Sequence, residues 1–235
     1  MMPVYVTVDM EQDCPPYWST WRGVEEGTPR LLEMLKTEGV PATWFTTGDL
    51  ARRFPATVQC LVDDGHELGC HGDTHRSFAT MTRQEAEAEI AASSAVLRTF
   101  ADVVSFRAPY LQFPADYVGV LRDHGYRLDS SEGRHKHFGA RVQTQADVLR
   151  VPASVTSSTL RWVAPLRNAL FRTLNDPVVL FVHPWEFVDL RKSDLRLDCR
   201  FKTGEVALDC LRDCIRFFRG RGATFAPMRS CLETQ

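Results

Sequence analysis

Glu67-Leu68-Gly69-Cys70-His71-Gly72-Asp73-Thr74-His75 is a short apolar run that leads into two histidines four positions apart. Two imidazoles that share one metal ion must project from neighbouring positions, because each ligand atom lies about 2.0–2.2 Å from the ion. On an extended strand, positions i and i+4 are about 13 Å apart, whereas on one helical turn they are neighbours. We therefore expect residues 67–70 to form a strand and both histidines to occupy the turn that follows it.

The first apolar run of the chain, residues 4–8, leads into acidic residues. On a strand, Asp9 and Glu11 point to the same face, while Met10 points to the other. Both carboxylates can therefore face one pocket. Together with the two histidines, this arrangement predicts a metal site of two imidazoles and one carboxylate.

The 235 residues contain no linker-like stretch and no run of like charge, so we expect a single domain over residues 1–235. The formal net charge of −2 gives no reason to expect a nucleic-acid partner. The N-terminus lacks the basic segment of a signal peptide, and the seven cysteines lack the spacing of a small secreted domain. These features predict a cytoplasmic protein with reduced thiols.

Strand-like apolar runs alternate with helical patterns along the chain. The predicted strands are residues 4–8, 42–46, 66–70, 103–106, 126–130, 178–182 and 223–226, and the predicted helices are 30–38, 55–64, 82–99 and 206–218. A less regular stretch after residue 130 contains an apolar segment near 148–151. Nearly continuous apolar strands joined by helices imply a parallel sheet covered by helices. At this length an α/β fold of the (β/α) barrel type is favoured over an open sheet.

Polar residues stand where five of these strands end. In a (β/α) barrel the catalytic groups lie at the C-terminal ends of the strands, so polar residues at equivalent ends predict a shared site better than any one of them alone. These residues are Asp9, His71, Arg107, Asp129 and His183.

The same residues carry a resemblance to a known family. The chain resembles the polysaccharide deacetylases, also called the NodB-homology family of carbohydrate esterases, over about residues 4–187. The motifs that match are Thr7-Val8-Asp9-Met10-Glu11, His71-Gly72-Asp73-Thr74-His75, Arg107-Ala108-Pro109-Tyr110, Leu128-Asp129-Ser130-Ser131 and Leu180-Phe181-Val182-His183. The resemblance implies a distorted, incomplete (β/α) barrel, one zinc or similar divalent ion, and removal of N- or O-acyl groups from sugars.

The resemblance also implies a role for each matching residue. Asp9 corresponds to the catalytic base, Arg107 to the arginine that holds it, and His183 to the general acid. Tyr110 lies where a backbone N–H helps to bind the oxyanion. Asp129 belongs to the motif that flanks the acyl pocket and orients the acid histidine.

The metal ligands implied in this way are His71, His75 and one carboxylate. The family pattern has two adjacent aspartates, whereas this chain has Asp9-Met10-Glu11-Gln12-Asp13. Glu11 is favoured as the third ligand because a glutamate reaches one methylene further from the end of the strand, and Asp13 is the rival.

Aromatic residues follow two of the motifs. Trp18 comes after the first motif and Trp185 after the last, and aromatic rings pack on the apolar faces of sugars. We expect both to bind substrate. In the loop after the fourth motif, His135 and His137 are candidates to line the same cleft.

Residues 160–174 place Trp162, Leu166, Leu170 and Leu174 at helical spacing, with arginines between them. This pattern is more typical of an outer helix packed on the strands than of a helix lying in a membrane surface. In the second case the substrate would be a lipid-linked sugar. Cys210 and Cys214 are read as buried thiols rather than as a second metal site, because no Cys-x-x-Cys is present.

The residues therefore predict a metal-dependent hydrolase that removes an acetyl or formyl group from the nitrogen of an amino sugar, either small or lipid-linked, with Zn²⁺ as cofactor. A divalent ion acidifies water and polarises the carbonyl, Asp9 accepts a proton, and His183 protonates the departing amine. Two alternatives stay open: a metal-independent amidohydrolase resembling the allantoinase branch, and a carbohydrate-binding pseudoenzyme suggested by the altered first motif.

Overall fold

Parallel strands and helices alternate in the computed structural model, which describes residues 2–136 and 140–233. The strands of the described part are β1 Pro3–Met10, β2 Ala42–Thr46, β3 Glu67–Cys70, β4 Ser105–Phe106, β5 Leu128–Asp129, β6 Gln143–Gln145, β7 Val148–Arg150, β8 Val178–Val182 and β9 Thr224–Phe225. They form one sheet in the order β6-β7-β5-β4-β3-β2-β1-β8, and β9 pairs with β1. Only the β6–β7 pair is antiparallel.

Helices cover the outside of this sheet. The α-helices of the described part are α1 Thr28–Glu38, α2 Gly48–Arg53, α3 Pro55–Asp63, α4 Arg83–Leu97, α5 Val118–Asp123, α6 Ser157–Leu160, α7 Ala164–Phe171, α8 Leu197–Arg200 and α9 Glu205–Arg219. A π-helix spans Gly23–Gly27, and 3₁₀ turns span Phe78–Thr80, Pro109–Leu111, Ala115–Tyr117, Pro184–Phe187 and Met228–Leu232. None of the helices in residues 2–136 and 140–233 has the length and apolar character needed to cross a bilayer.

Strand β1 lies inside the sheet, between β2 and the edge strand β8. Val4, Val6 and Val8 pack into the main hydrophobic core, on the face opposite Tyr5. Thr7 is also buried, and its hydroxyl donates to the Leu180 carbonyl on β8 at 2.9 Å. Polar and apolar residues alternate along a strand that has one face in water, but this strand is buried on both faces. Its residues are therefore nearly all apolar.

The sheet curls into a barrel that is not closed by strand pairing, as the family resemblance implies. The edge strand β8 is hydrogen bonded to the segment after β7 at Ser154, whose N–H donates to the Val179 carbonyl at 2.9 Å and whose hydroxyl accepts from the Val179 N–H at 2.9 Å. The predicted α/β fold of the distorted, incomplete barrel type is therefore confirmed.

Local capping explains where the longest helices begin and end. Thr82 and Glu85 form a reciprocal capping box at the start of α4, as the sequence predicts. Helix α1 ends at Gly39, whose φ of 61° is the left-handed conformation that glycine adopts without a steric penalty.

The prediction of one outer helix over residues 160–174 was wrong in part. The segment holds the last residue of α6, a turn, and α7. Leu170 and Leu174 pack against the main core as expected, but Trp162 and Leu166 are 45% and 63% exposed. The arginines lie inside: Arg161 and Arg167 are each only 2% exposed. Arg161 donates to the carbonyls of Phe201 and Asp198, at 2.5 and 3.0 Å. Carbonyl groups about 40 residues away in the chain thus decide that Arg161 is buried. The spacing of apolar residues within 160–174 contains no information about these partners.

Candidate metal and catalytic site

A cleft of about 480 Å³ opens at the C-terminal ends of the central strands. Asp9 ends β1 together with Met10, and Glu11 follows directly, while His71 follows β3 and His183 follows β8. Since β8, β1, β2 and β3 are neighbours in the sheet, residues far apart in the chain reach one place. All four side chains line the cleft.

Glu11, His71 and His75 form a compact cluster of possible metal ligands. One nitrogen of each imidazole and one carboxylate oxygen all lie within 4.8 Å of one another. The Nε2 atom of His71 is 3.3 Å from Oε2 of Glu11, and Nε2 of His75 also contacts this oxygen. No other group of three such side chains is found in residues 2–136 and 140–233, so Cys210 and Cys214 form no metal cluster there.

The hydrogen bond on the far side of His71 favours metal binding. Its Nδ1 lies 2.7 Å from the Arg107 carbonyl, which can only accept, so Nδ1 carries the proton. The lone pair is then on Nε2, on the side of Glu11. This orientation of a ligating histidine by a backbone carbonyl is a common feature of metal sites.

The turn that holds His75 is fixed from helix α4. Oε1 of Glu89 accepts from the Asp73 N–H at 3.1 Å, and from the Thr74 N–H and hydroxyl at 2.5 and 2.7 Å. His75 itself has a φ of 59°, an uncommon conformation for a residue with a side chain. The turn is thus held in a form that brings its imidazole back to His71, and this donor set fits a divalent transition-metal ion.

The pKa of Glu11 is consistent with a cluster that concentrates positive charge. Burial raises the pKa of this carboxyl group, but the charges of His75 and His183 and the hydrogen bonds from the cluster histidines outweigh it. The result is a pKa well below the usual range, so the carboxylate is in the ionised form that binds a cation.

The carboxylate of Asp13, the alternative third ligand, accepts hydrogen bonds away from the two histidines. Its Oδ1 accepts from the Gly23 N–H at 2.8 Å, and its Oδ2 accepts from the Arg22 N–H and the Thr20 hydroxyl at 2.8 and 2.6 Å. These bonds hold the N-terminal end of the π-helix. The structure brings Glu11, and not Asp13, to the two histidines.

Asp9 and Arg107 form a buried ion pair beside the cluster. Nη1 of Arg107 lies 2.6 Å from Oδ1 of Asp9 and 2.7 Å from the Thr7 hydroxyl, and Nη2 donates to the Ser130 hydroxyl at 2.9 Å. The guanidinium also lies over the Phe45 ring, 4.3 Å from its centroid. In the described part of the chain no donor reaches Oδ2 of Asp9, so this oxygen is left for a proton or a ligand.

His183 is held by Glu186, a residue that the sequence interpretation did not select. Nδ1 of His183 lies 2.8 Å from Oε1 of Glu186, and Oε2 of Glu186 lies 3.2 Å from Nε of Arg161. Burial lowers the pKa of His183, but the carboxylates of Glu11 and Glu186, with a smaller effect of Asp9, raise it from 6.5 to about 9. The imidazole is therefore protonated at neutral pH.

The expected contact between Asp129 and the acid histidine is not formed. Oδ2 of Asp129 accepts from Nε of Arg150 at 2.8 Å, and Oδ1 accepts from both donors of Ser131. The Ser131 hydroxyl in turn accepts from the Ala108 N–H at 2.8 Å. Asp129 thus supports the backbone of the third motif, because an arginine from β7 is nearer to it than the histidine is.

The aromatic residues divide between the cleft and the packing around it. Trp185 lines the cleft and stacks on His183, with ring centroids 4.9 Å apart. Tyr110 also lines it, at a φ of 60°, with its ring 4.9 Å from that of His75. Trp18 packs against the buried cluster around Trp185 and does not line the cleft. His135 lines the cleft, whereas His137 lies outside the described residues.

Sequence reasoning thus missed Glu186, Arg161 and Glu89. A signal was available for Glu186, since it stands three residues after His183 in Pro184-Trp185-Glu186-Phe187. For Glu89 and Arg161 there was none: each acts on a segment with which it shares no local pattern.

Comparison with known proteins identifies the family of the chain. The family model for polysaccharide deacetylase matches residues 3–128. The peptidoglycan deacetylase of Helicobacter pylori is 33% identical over 109 residues, which are 46% of this chain and 37% of that protein. The chain thus spans a little over a third of the length of this curated relative.

Two solved structures illustrate the shared fold. The family 4 carbohydrate esterase from Streptomyces lividans, in complex with acetate, has a TM-score of 0.65 at 18% identity, covering 96% of this chain and 92% of that one. A pseudoenzyme of the same esterase family from Bacillus anthracis has a TM-score of 0.65 at 17% identity, covering 97% of this chain and 64% of that one. At these identities the likeness concerns the fold, which an enzyme and a pseudoenzyme share.

Proposed function

Since the chain belongs to the polysaccharide deacetylase family, we propose that it is a metal-dependent hydrolase that removes an acetyl or formyl group from the nitrogen of an amino sugar. One observation carries the proposal. The cluster of Glu11, His71 and His75 shares its cleft with two groups suited to proton transfer, the carboxyl group of Asp9 and the imidazole of His183. The proposed domain is residues 1–235, with the matching motifs in its first four fifths.

Glu11, His71 and His75 would hold the divalent ion, most simply Zn²⁺. Such an ion, when bound, polarises an amide carbonyl and makes water acidic enough to react at neutral pH. Asp9 accepts the proton of the attacking water, because it lines the cleft and its Oδ2 has no donor in the described part of the chain. Arg107 keeps that carboxylate in one orientation through the bond to Oδ1.

His183 then protonates the departing amine. The bond from Nδ1 to Glu186 leaves Nε2 on the side of the cleft that holds Glu11, 3.8 Å from Oε1 of that residue. A protonated amine is a far better leaving group than an amide anion, so a positioned acid at this place accelerates the step by about 10²- to 10⁴-fold. The backbone N–H of Tyr110 is proposed to bind the oxyanion, and Trp185 to pack on the sugar.

The experiment is a release assay on purified protein. We expect acetate or formate from N-acetylated or N-formylated glucosamine oligosaccharides, loss of release after chelation, and recovery on addition of Zn²⁺. Absence of release from every substrate, with one ion bound per chain, would contradict the proposal.

The same assay separates the alternatives. A metal-independent amidohydrolase would continue to release the acid after chelation. A pseudoenzyme would bind the oligosaccharides without any release. We favour an enzyme over a binding protein, because Asp9 and His183 line the cleft beside the cluster and are each held by a partner side chain, Arg107 and Glu186.

Glu186→Gln is expected to move the basic limit of activity to lower pH. The charge of Glu11, and after it the hydrogen bond and charge of Glu186, raise the pKa of His183, so the acid form is present below that pKa and is lost above it. Removing the charge lowers this pKa, and the acid form disappears earlier as pH rises. The measurement is kcat/KM against pH for both proteins.

Glu132→Gln is the control for this variant, since Glu132 pairs with Arg150 and lies away from the cleft lining. Its profile should match that of the wild type. If the basic limb of Glu186→Gln also coincides with the wild type, Glu186 does not set the protonation of His183.

A further inference from the structure

A second cavity of about 440 Å³ lies beside the catalytic cleft, and we call it the side groove. Its walls come from the segment after β7, from α6, and from the end of α7. Its apolar lining is formed by Val155, Trp162, Leu170 and Leu174, with threonine side chains between them. None of the roles proposed above uses this cavity.

The apolar surface continues beyond the side groove. All five residues from Trp162 to Leu166 are exposed, and Val163 and Leu166 reach 54% and 63%. Single exposed apolar residues are ordinary, but a contiguous run beside a cavity marks a binding surface. The exposure is also fixed, because Arg161 and Arg167 on either side are buried and hydrogen bonded.

His135 connects the side groove to the catalytic cleft. Its side chain lines both cavities. Its ring stacks on Phe181, a residue of β8 that lines the cleft, with centroids 6.4 Å apart. The two cavities therefore adjoin at His135, so one ligand that extends past this side chain can occupy both.

We propose that the side groove binds the hydrocarbon chain of an amphiphilic substrate whose N-acylated sugar occupies the catalytic cleft. This proposal rests on the proposed function only for the sugar in the catalytic cleft, and not for the hydrocarbon chain in the side groove. The occupant is a chain attached to the substrate, because the groove is apolar and adjoins the cleft at His135; a protein partner would not need a groove next to the cleft. Substrates of this class are glycolipids or lipid-linked sugars.

Alkyl 2-amino-2-deoxyglucosides test the proposal by binding alone, since they carry no acyl group and are not hydrolysed. Dissociation constants for methyl, butyl and octyl glycosides are measured by calorimetry below the micelle concentration. Burial of each methylene tightens binding by up to about fourfold, so Kd is expected to fall steadily with chain length. Trp162→Ser and Leu170→Ser should flatten this dependence and leave the methyl glycoside unchanged.

Val206→Ser is the matched control, because Val206 is an exposed apolar residue on α9 that lines neither cavity. It should retain the full dependence. Equal Kd values for the three chains overturn the proposal, as does an unchanged dependence in Trp162→Ser. Dissociation of a dimer by Trp162→Ser would assign the surface to a second copy and also overturn it. Chain-dependent binding without any deacylation of N-acetyl glycosides would instead refute the proposed function and leave the groove assignment standing.

Discussion

Asp9→Asn is expected to reduce turnover by about 10²- to 10⁴-fold, the usual contribution of a positioned general base, and to leave the metal content at one ion per chain. Asparagine has nearly the same shape as aspartate but accepts no proton from water. The ligands Glu11, His71 and His75 are untouched by the change. The measurements are kcat on an N-acetylated substrate and metal stoichiometry by mass spectrometry.

Stability must be followed with this variant. Arg107 is fully buried and its carboxylate partner is Asp9, so neutralising Asp9 leaves an uncompensated charge at a cost of about 3–5 kcal/mol. Glu38→Gln is the control, since Glu38 is a buried carboxylate that pairs with Arg216 and Arg219 on α9, away from the cleft lining. It should lose some stability and keep turnover within about tenfold. Turnover of Asp9→Asn near the wild-type value would remove Asp9 from the role of base.

Glu11→Gln is expected to weaken metal binding by at least about 100-fold. Mutation of residues that only orient the ligands of a metal already lowers its affinity by about 10- to 100-fold. An amide oxygen carries no charge to balance the cation. Activity should fall in proportion to the metal that is lost. The affinity is measured by competition with a chelator of known strength.

Asp13→Asn gives the contrasting result. The Asp13 carboxylate accepts from the N–H groups of Arg22 and Gly23, and an asparagine amide would turn its own NH₂ group toward one of them. One hydrogen bond is then lost, and the free energy of unfolding falls by about 1–3 kcal/mol. Metal stoichiometry should stay at one. If Asp13→Asn loses the ion while Glu11→Gln keeps it, the assignment of the third ligand is reversed.

Local patterns in the sequence predicted most of the barrel. The bounds of the strands Ala42–Thr46 and Val178–Val182 were predicted to the residue, because turn-forming residues on both sides of a short apolar run mark where the strand begins and ends. The capping box at Thr82 was likewise local. The π-helix at Gly23–Gly27 was not predicted. Its packing depends on Gly23, where a β-carbon would lie 2.4 Å from the Trp185 backbone nitrogen, a contact from the far end of the chain.

The site was predictable where the spacing of residues within a motif fixes their relative positions. It was not predictable where two interacting side chains are far apart in the sequence. His71 and His75 lie four residues apart, and the structure brings them together with Glu11. The partner of His183 was expected to be Asp129, but Arg150 already occupies that carboxylate. Charge pairing among buried residues depends on which arginine reaches which acid, and this is decided by the packing of whole elements.

Glu11 and His71 are separated by 60 positions in the chain. In an unfolded polypeptide these side chains meet rarely, so a divalent cation has a much higher affinity for the native state. By mass action, an ion present at 100 times its dissociation constant adds about 2.7 kcal/mol to the free energy of unfolding. The melting temperature of the protein would therefore depend on metal supply, and starvation for the ion would lower its abundance as well as its rate.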